Sequence, residues 1–195
     1  MSPELNLKIK LFADGADLDG MTQMYANPMI KGFTTNPTLM RKAGVQDYEA
    51  FAREVLAAIP DRPVSFEVFA DDLPTMAAQA RVIAAWGPNV NVKIPVTNTK
   101  GEFTGPIIEK LSAEGVQVNV TAVFSLEQVR AVADALASDT PAIVSVFAGR
   151  IADTGVDPMP LMAEALKLMT AKPKAELLWA SPRELLNIFQ ADQVG

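Results

Sequence analysis

Lys93 sits inside the run Asn91-Val92-Lys93-Ile94-Pro95-Val96, which is otherwise mostly β-branched and apolar. Read as a strand, the run turns Val90, Val92, Ile94 and Val96 to one side and Asn91, Lys93 and Pro95 to the other. A lysine facing a closed interior loses hydration, and an amine kept from water is favoured in its uncharged form, able to attack a ketone and form a Schiff base. The same alternation collects companions for it along the chain. Asp14 falls in phase with Phe12, and Thr34 with Asn36 in Phe33-Thr34-Thr35-Asn36-Pro37. Ser65 and Glu67 lie opposite Val64 and Val68, and Gln117, Asn119 and Thr121 opposite three valines. Ser145 and Phe147 oppose Val144 and Val146, with Gly149 and Arg150 just beyond, and Trp179-Ala180-Ser181 is followed by Arg183.

Each of these residues has a plainer reading. Most lysines are solvated, and Lys8 and Lys10 compete with Lys93, although they lie toward the amino end of their strand. Asp14 and Asn36 suit helix caps or turns, Thr121 and Ser145 suit filler, Glu67 a solvated strand end, and Arg150 and Arg183 ordinary surface. Phe12, Phe147 and Trp179 suit a core. The coincidence across strands argues otherwise. A buried polar face must be satisfied by hydrogen bonds or water, so a chain that keeps one on strand after strand has built a pocket there.

The elements that position these residues alternate regularly. Strands are expected near 7–13, 30–34, 64–69, 90–96, 117–123, 142–147 and 176–180, and helices near 17–26, 47–59, 72–86, 104–114, 125–137, 157–170 and 182–190. Ser125 with Gln128 reads as a capping box, and Asp157-Pro158 and Ser181-Pro182 read as helix starts. Seven βα units imply an α/β fold with a parallel sheet. No Gly-rich phosphate fingerprint follows any strand, which favours a barrel of eight units over a doubly wound sheet and puts the chemistry at the carboxyl ends of the strands.

With 195 residues and 49% hydrophobic content, residues 1–195 are expected to form one domain. No apolar run approaches the roughly 20 residues of a membrane span, and Met1-Ser2-Pro3-Glu4-Leu5-Asn6 lacks the basic and apolar regions of a signal peptide, so a cytoplasmic protein is expected. The absence of cysteine removes disulfides, thiolate metal sites and a cysteine nucleophile. The absence of histidine leaves proton transfer near neutral pH to carboxylates, lysine, tyrosine or relayed water. A net charge of −6 argues against a nucleic-acid partner but not against a small anion held by a local arginine pair.

The stretches Phe33-Thr34-Thr35-Asn36-Pro37-Thr38, Val92-Lys93-Ile94-Pro95-Val96-Thr97, Asn119-Val120-Thr121 and Phe147-Ala148-Gly149-Arg150-Ile151 resemble the transaldolase family, including its short members and the fructose-6-phosphate aldolases. The resemblance runs from Asp14 to Arg183, with the motifs in the family's order. It implies a (β/α)8 TIM barrel, sugar-phosphate substrates, no cofactor, and a homo-oligomer, since short members form rings of subunits. It implies that Lys93 attacks the donor ketone, that Asp14 shuttles the proton whose removal starts carbon–carbon cleavage, and that Glu67 with Thr121 holds the water used in forming and hydrolysing the imine. Thr34, Asn36, Asn119 and Ser145 would orient the three-carbon fragment. Arg150, Ser181 and Arg183 would take the phosphate, an assignment with its own physical support: the loops after the sixth and seventh strands are neighbours in a barrel, two guanidinium forks suit an oxyanion, and Ser181 is expected to head a helix whose amino-terminal amides attract an anion.

Glu67 and Phe147 match transaldolases, whereas the fructose-6-phosphate aldolases resemble one another in having glutamine and tyrosine there. That favours transfer of the dihydroxyacetone unit over its release. The readings left beside it are an aldolase releasing dihydroxyacetone, a transaldolase acting on a sulfonated ketose, and a silent barrel that only binds a sugar phosphate. Two departures stand out. Gln190-Ala191-Asp192-Gln193-Val194-Gly195 reads as the approach to an eighth strand where the sequence stops, so strand eight and the carboxyl-terminal helices of a family barrel are expected to be missing. Pro182 also stands where many relatives have an aromatic residue.

Overall fold

A computed structural model describes residues 6–195. The signal-peptide reading at Met1–Leu5 lies outside the described residues. The order of elements is β1 (Leu11–Asp14), α1 (Leu18–Tyr25), β2 (Ile30–Thr34), α2 (Pro37–Lys42), α3 (Tyr48–Ala58), β3 (Val64–Glu67), α4 (Leu73–Ala84), β4 (Val90–Pro95) and α5 (Gly105–Ala113). It continues with β5 (Val118–Val123), α6 (Leu126–Ala135), β6 (Ala142–Val146), α7 (Ala148–Asp153), α8 (Met159–Met169), β7 (Ala175–Trp179) and α9 (Leu186–Val194). The strands form one parallel sheet in chain order, β1 to β7.

The sheet curls. Lys10, just before β1, is ion-paired with Glu176 on β7, so the first and last strands come within side-chain reach of each other. Asp192 on α9 accepts from the Lys8 and Ile9 amides on the same side. With helices following the strands, this is an α/β fold of the TIM-barrel type, seven strands of which lie in the described residues. The hydrophobic core fills the space between sheet and helices: Val92, Ile94, Val118, Val120, Val144 and Val146 are all fully buried. Among the described residues no helix is long and apolar enough to cross a membrane.

Five helices, α1 to α4 and α6, begin where a short polar side chain takes a free amide of the first turn. Asp17 accepts from Gly20, Asn36 from Leu39, Asp47 from Ala50, Asp72 from Thr75, and Ser125 from Gln128. The Gln128 side chain reaches back to the Phe124 amide, one residue earlier than in the usual capping box.

Four details differ from the sequence expectations. The six-residue helices α2 and α7 follow β2 and β6 directly, where only loops were expected. Ser181-Pro182 does not start a helix: Ser181 has φ +57°, and α9 begins at Leu186. Residues 190–194 belong to that helix and not to a strand approach. β1 starts at Leu11 instead of residue 7, with a register irregularity between Leu11 and Phe12.

Candidate active site

The period of two holds through the central strands. The register sets Glu67 beside Lys93 and Lys93 beside Asn119, so three strands present polar side chains at one level. Lys93 is 8% exposed. Its Nζ donates to the Thr35 carbonyl at 2.9 Å and lies 3.1 Å from Glu67 Oε2. An ammonium with so little water is tolerable only when its protons are taken up, and a carboxylate plus a carbonyl do that.

Below this pair runs a buried chain of neutral polar groups. Ser145 Oγ donates to Asn119 Oδ1 at 2.7 Å, and Asn119 Nδ2 donates to Ser65 Oγ at 3.0 Å. The chain ties β6, β5 and β3 together across the interior. Thr121, also buried, pairs in register with Pro95 two residues outward from the Lys93–Asn119 pair. Immediately after it, Ala122 adopts φ +59° and the β5–β6 register shifts between Val120 and Val123. This bulge resets the alternation, so that Thr121 keeps the polar side while Val123 is returned to the hydrophobic core.

Asp14 lies at the exposed carboxyl end of β1, where its Oδ1 accepts from Thr34 Oγ1 at 2.9 Å. Asn36 caps α2, its Oδ1 accepting from the Leu39 amide. Phe147 is half-buried and packs edge-on to Phe124 with ring centroids 5.5 Å apart.

The loops after β6 and β7 are in close contact, as their expected adjacency requires. The Gly149 amide donates to the Ala180 carbonyl, and a Cβ added at Gly149 would stand 1.6 Å from the Ser181 carbonyl oxygen. Only glycine fits there. Arg150 is exposed on α7. Arg183 is not free: its guanidinium grips Asp153 with two hydrogen bonds of 2.8 and 2.5 Å. That hydrogen-bonded pairing holds the Asp153 carboxyl below its ordinary value and raises Arg183. Because Ser181 heads no helix, the anion-site argument from helix amides does not hold; both arginines are exposed, but Arg183 is committed to Asp153, which leaves Arg150 as the cation of the three residues not held in that pair.

Two residues close to the lysine were not singled out from the sequence: Thr35, through its carbonyl, and Tyr48. The Tyr48 phenol reaches from α3 to the backbone of Glu67, accepting from its amide at 2.7 Å and donating to its carbonyl at 3.0 Å. Burial pushes this phenol well above the usual tyrosine range.

Comparison with known proteins gives consistent results. The family described as Transaldolase/Fructose-6-phosphate aldolase matches residues 11–195. A probable transaldolase of Dehalococcoides mccartyi is 39% identical over 188 residues, covering 96% of this chain and 83% of that protein. A probable transaldolase of Sphingopyxis alaskensis is 37% identical, covering 96% and 82%, and probable transaldolase 2 of Listeria monocytogenes is 35% identical with the same coverage. Among solved structures, a putative phosphonomutase from Burkholderia cenocepacia superposes with a TM-score of 0.57 at 13% identity, covering 95% of this chain and 84% of that one, a likeness of fold alone.

Proposed function

The chain belongs to the transaldolase/fructose-6-phosphate aldolase family and so to enzymes of the aldolase or transferase type, and from that premise we propose that it is a transaldolase carrying a dihydroxyacetone unit from a ketose phosphate to an aldose phosphate on Lys93. One observation carries this reading: the Lys93 amine is nearly shut off from water yet within 3.1 Å of a carboxylate, among polar groups at the carboxyl ends of parallel strands.

In this mechanism Glu67 takes a proton from the Lys93 ammonium, and the freed amine adds to the donor ketone. The carbinolamine loses water, with Glu67 and Thr121 supplying and holding the proton and water exchanged, to give an iminium. Asp14 removes the proton from the hydroxyl on the carbon beyond the bond to be broken. The bond's electron pair flows into the iminium, the aldose phosphate leaves, and an enamine stays on Lys93. Thr34, Asn36, Asn119 and Ser145 keep this fragment oriented while it waits. It then attacks the carbonyl of an acceptor aldose phosphate, whose new alkoxide recovers a proton from Asp14, and water hydrolyses the imine to restore the lysine. Phe147 has no hydroxyl with which to protonate the enamine early, which supports transfer over release. Arg150 takes the phosphate, with Ser181 and the Asp153-bound Arg183 shaping the loop beside it.

The test is chemical trapping. Incubation with fructose 6-phosphate and borohydride is expected to leave one reduced adduct on Lys93, located by mass spectrometry and absent from Lys93→Met. Arg150→Ala should raise KM for the donor tenfold or more, about 1.4 kcal/mol, with kcat little changed. Product formation that requires an aldose acceptor marks transfer. An adduct elsewhere, or none with any ketose phosphate or sulfonated ketose, overturns the proposal.

A further inference from the structure

In the parallel pairing of β2 with β3, the Thr35 amide donates to the Ser65 carbonyl at 3.0 Å, following a bond from Phe33 to the Pro63 carbonyl at 2.8 Å. A parallel ladder repeats every two residues, so the next rung would run from the Glu67 amide to the Thr35 carbonyl, and from the residue-37 amide to the Glu67 carbonyl. Neither bond forms. Residue 37 is a proline and has no N–H to give, and the Thr35 carbonyl is occupied by Lys93 Nζ at 2.9 Å.

Two buried-side backbone groups on Glu67 are thereby left without strand partners, and a single side chain supplies both. Tyr48 Oη accepts from the Glu67 amide at 2.7 Å and donates to the Glu67 carbonyl at 3.0 Å. Its ring is fixed edge-on against Phe69, Trp86 and Phe66, at centroid separations of 5.0, 5.1 and 6.0 Å, so the hydroxyl cannot drift from the backbone. We infer that Tyr48 is a positioning residue which stands in for the missing rung between β2 and β3, keeping the Thr35 carbonyl free to hold the Lys93 amine beside Glu67. The inference rests on the Lys93 reading for its catalytic meaning, but the hydrogen-bond exchange it describes is independent of substrate.

Without the hydroxyl, the Glu67 amide turns to its regular ladder acceptor, the Thr35 carbonyl, and takes it from the lysine. The amine then loses one of its two fixed partners and its alignment with Glu67. Substrate still enters through contacts that do not involve Tyr48, so the loss falls on kcat and not on KM.

The experiment compares wild type with Tyr48→Phe and the double variant Tyr48→Phe/Pro37→Ala, in which residue 37 regains an N–H for the Glu67 carbonyl. With fructose 6-phosphate and an aldose phosphate acceptor, Tyr48→Phe is expected to lose on the order of tenfold in kcat with KM within about twofold. In its crystal structure Lys93 Nζ should lie beyond hydrogen-bond distance of the Thr35 carbonyl, which accepts from Glu67 instead. The double variant should recover stability in urea without recovering kcat, because a completed ladder takes the same carbonyl; it also serves if the single variant is too unstable to study. A Tyr48→Phe kcat within twofold of wild type, a kcat that returns together with stability, or an unmoved amine overturns the inference. If wild type forms no adduct on Lys93, the proposed function fails, and the position of the amine in the variant structures still decides the rung exchange.

Discussion

Asn119 has both ends of its amide engaged inside the sheet, accepting from Ser145 and donating to Ser65, and all three residues are buried. Asn119→Ala strands two hydroxyls that no water reaches easily, so unfolding in urea is expected to show a loss of about 2–3 kcal/mol. A loss below about 0.5 kcal/mol would mean that the two serines find other partners. These side chains were legible from sequence because strand alternation alone decides which way they face. Thr35 and Tyr48 were not, since one acts through a backbone carbonyl and the other from a helix whose reach no periodicity describes. Pro37 was the available clue: a proline just past a strand removes a donor from the ladder, and something must replace it. The grip of Arg183 on Asp153 was likewise hidden, because 30 residues separate the partners and each alone resembles an ordinary surface charge.

At the scale of elements, the bulge in β5 determines how long the polar face lasts. Ala122 is held at φ +59°, a region that costs a residue with a Cβ about 1 kcal/mol. Ala122→Gly relieves that strain while adding unfolded-state freedom of comparable size, so stability should stay within about 0.5 kcal/mol of wild type. Ala131→Gly, in the middle of α6, has no strain to relieve and should cost about 1 kcal/mol. Paired urea titrations of the two variants check the contrast, and equal losses would show that the bulge is unstrained. The strands and longer helices were legible because apolar spacing and capping residues agree. The helices α2 and α7 were not, because six residues give too few turns for a pattern to show. Ser181-Pro182 misled for a definite reason: Ser-Pro suits a tight turn as well as a first helical turn, and contact between Gly149 and the Ser181 carbonyl selects the turn.

For the molecule as a whole, the described sheet closes through side chains where β1 meets β7. The Lys10–Glu176 ion pair there is more than half exposed at both ends, a class worth no more than about 1 kcal/mol, so stability rests on the core between sheet and helices. One group buried near that core makes stability depend on pH. The Tyr48 phenol has an ordinary value of 10.0, and burial raises it in the folded protein. A raised value means that the folded state keeps its proton where the unfolded chain releases it. The stabilisation is therefore complete below pH 10 and declines as pH rises toward the folded value, by up to about 1.4 kcal/mol per unit. Tyr25 is also raised, through its hydrogen bond to Asp61, and slopes in the same direction in both proteins compared here. Urea unfolding of wild type and Tyr48→Phe between pH 8 and pH 11 should show a constant difference up to about pH 10 and a narrowing difference beyond it. A difference that stays constant to pH 11 would mean the phenol ionises as readily folded as unfolded, and that the backbone of Glu67 is not shielded from water in the way its two hydrogen bonds to Tyr48 require.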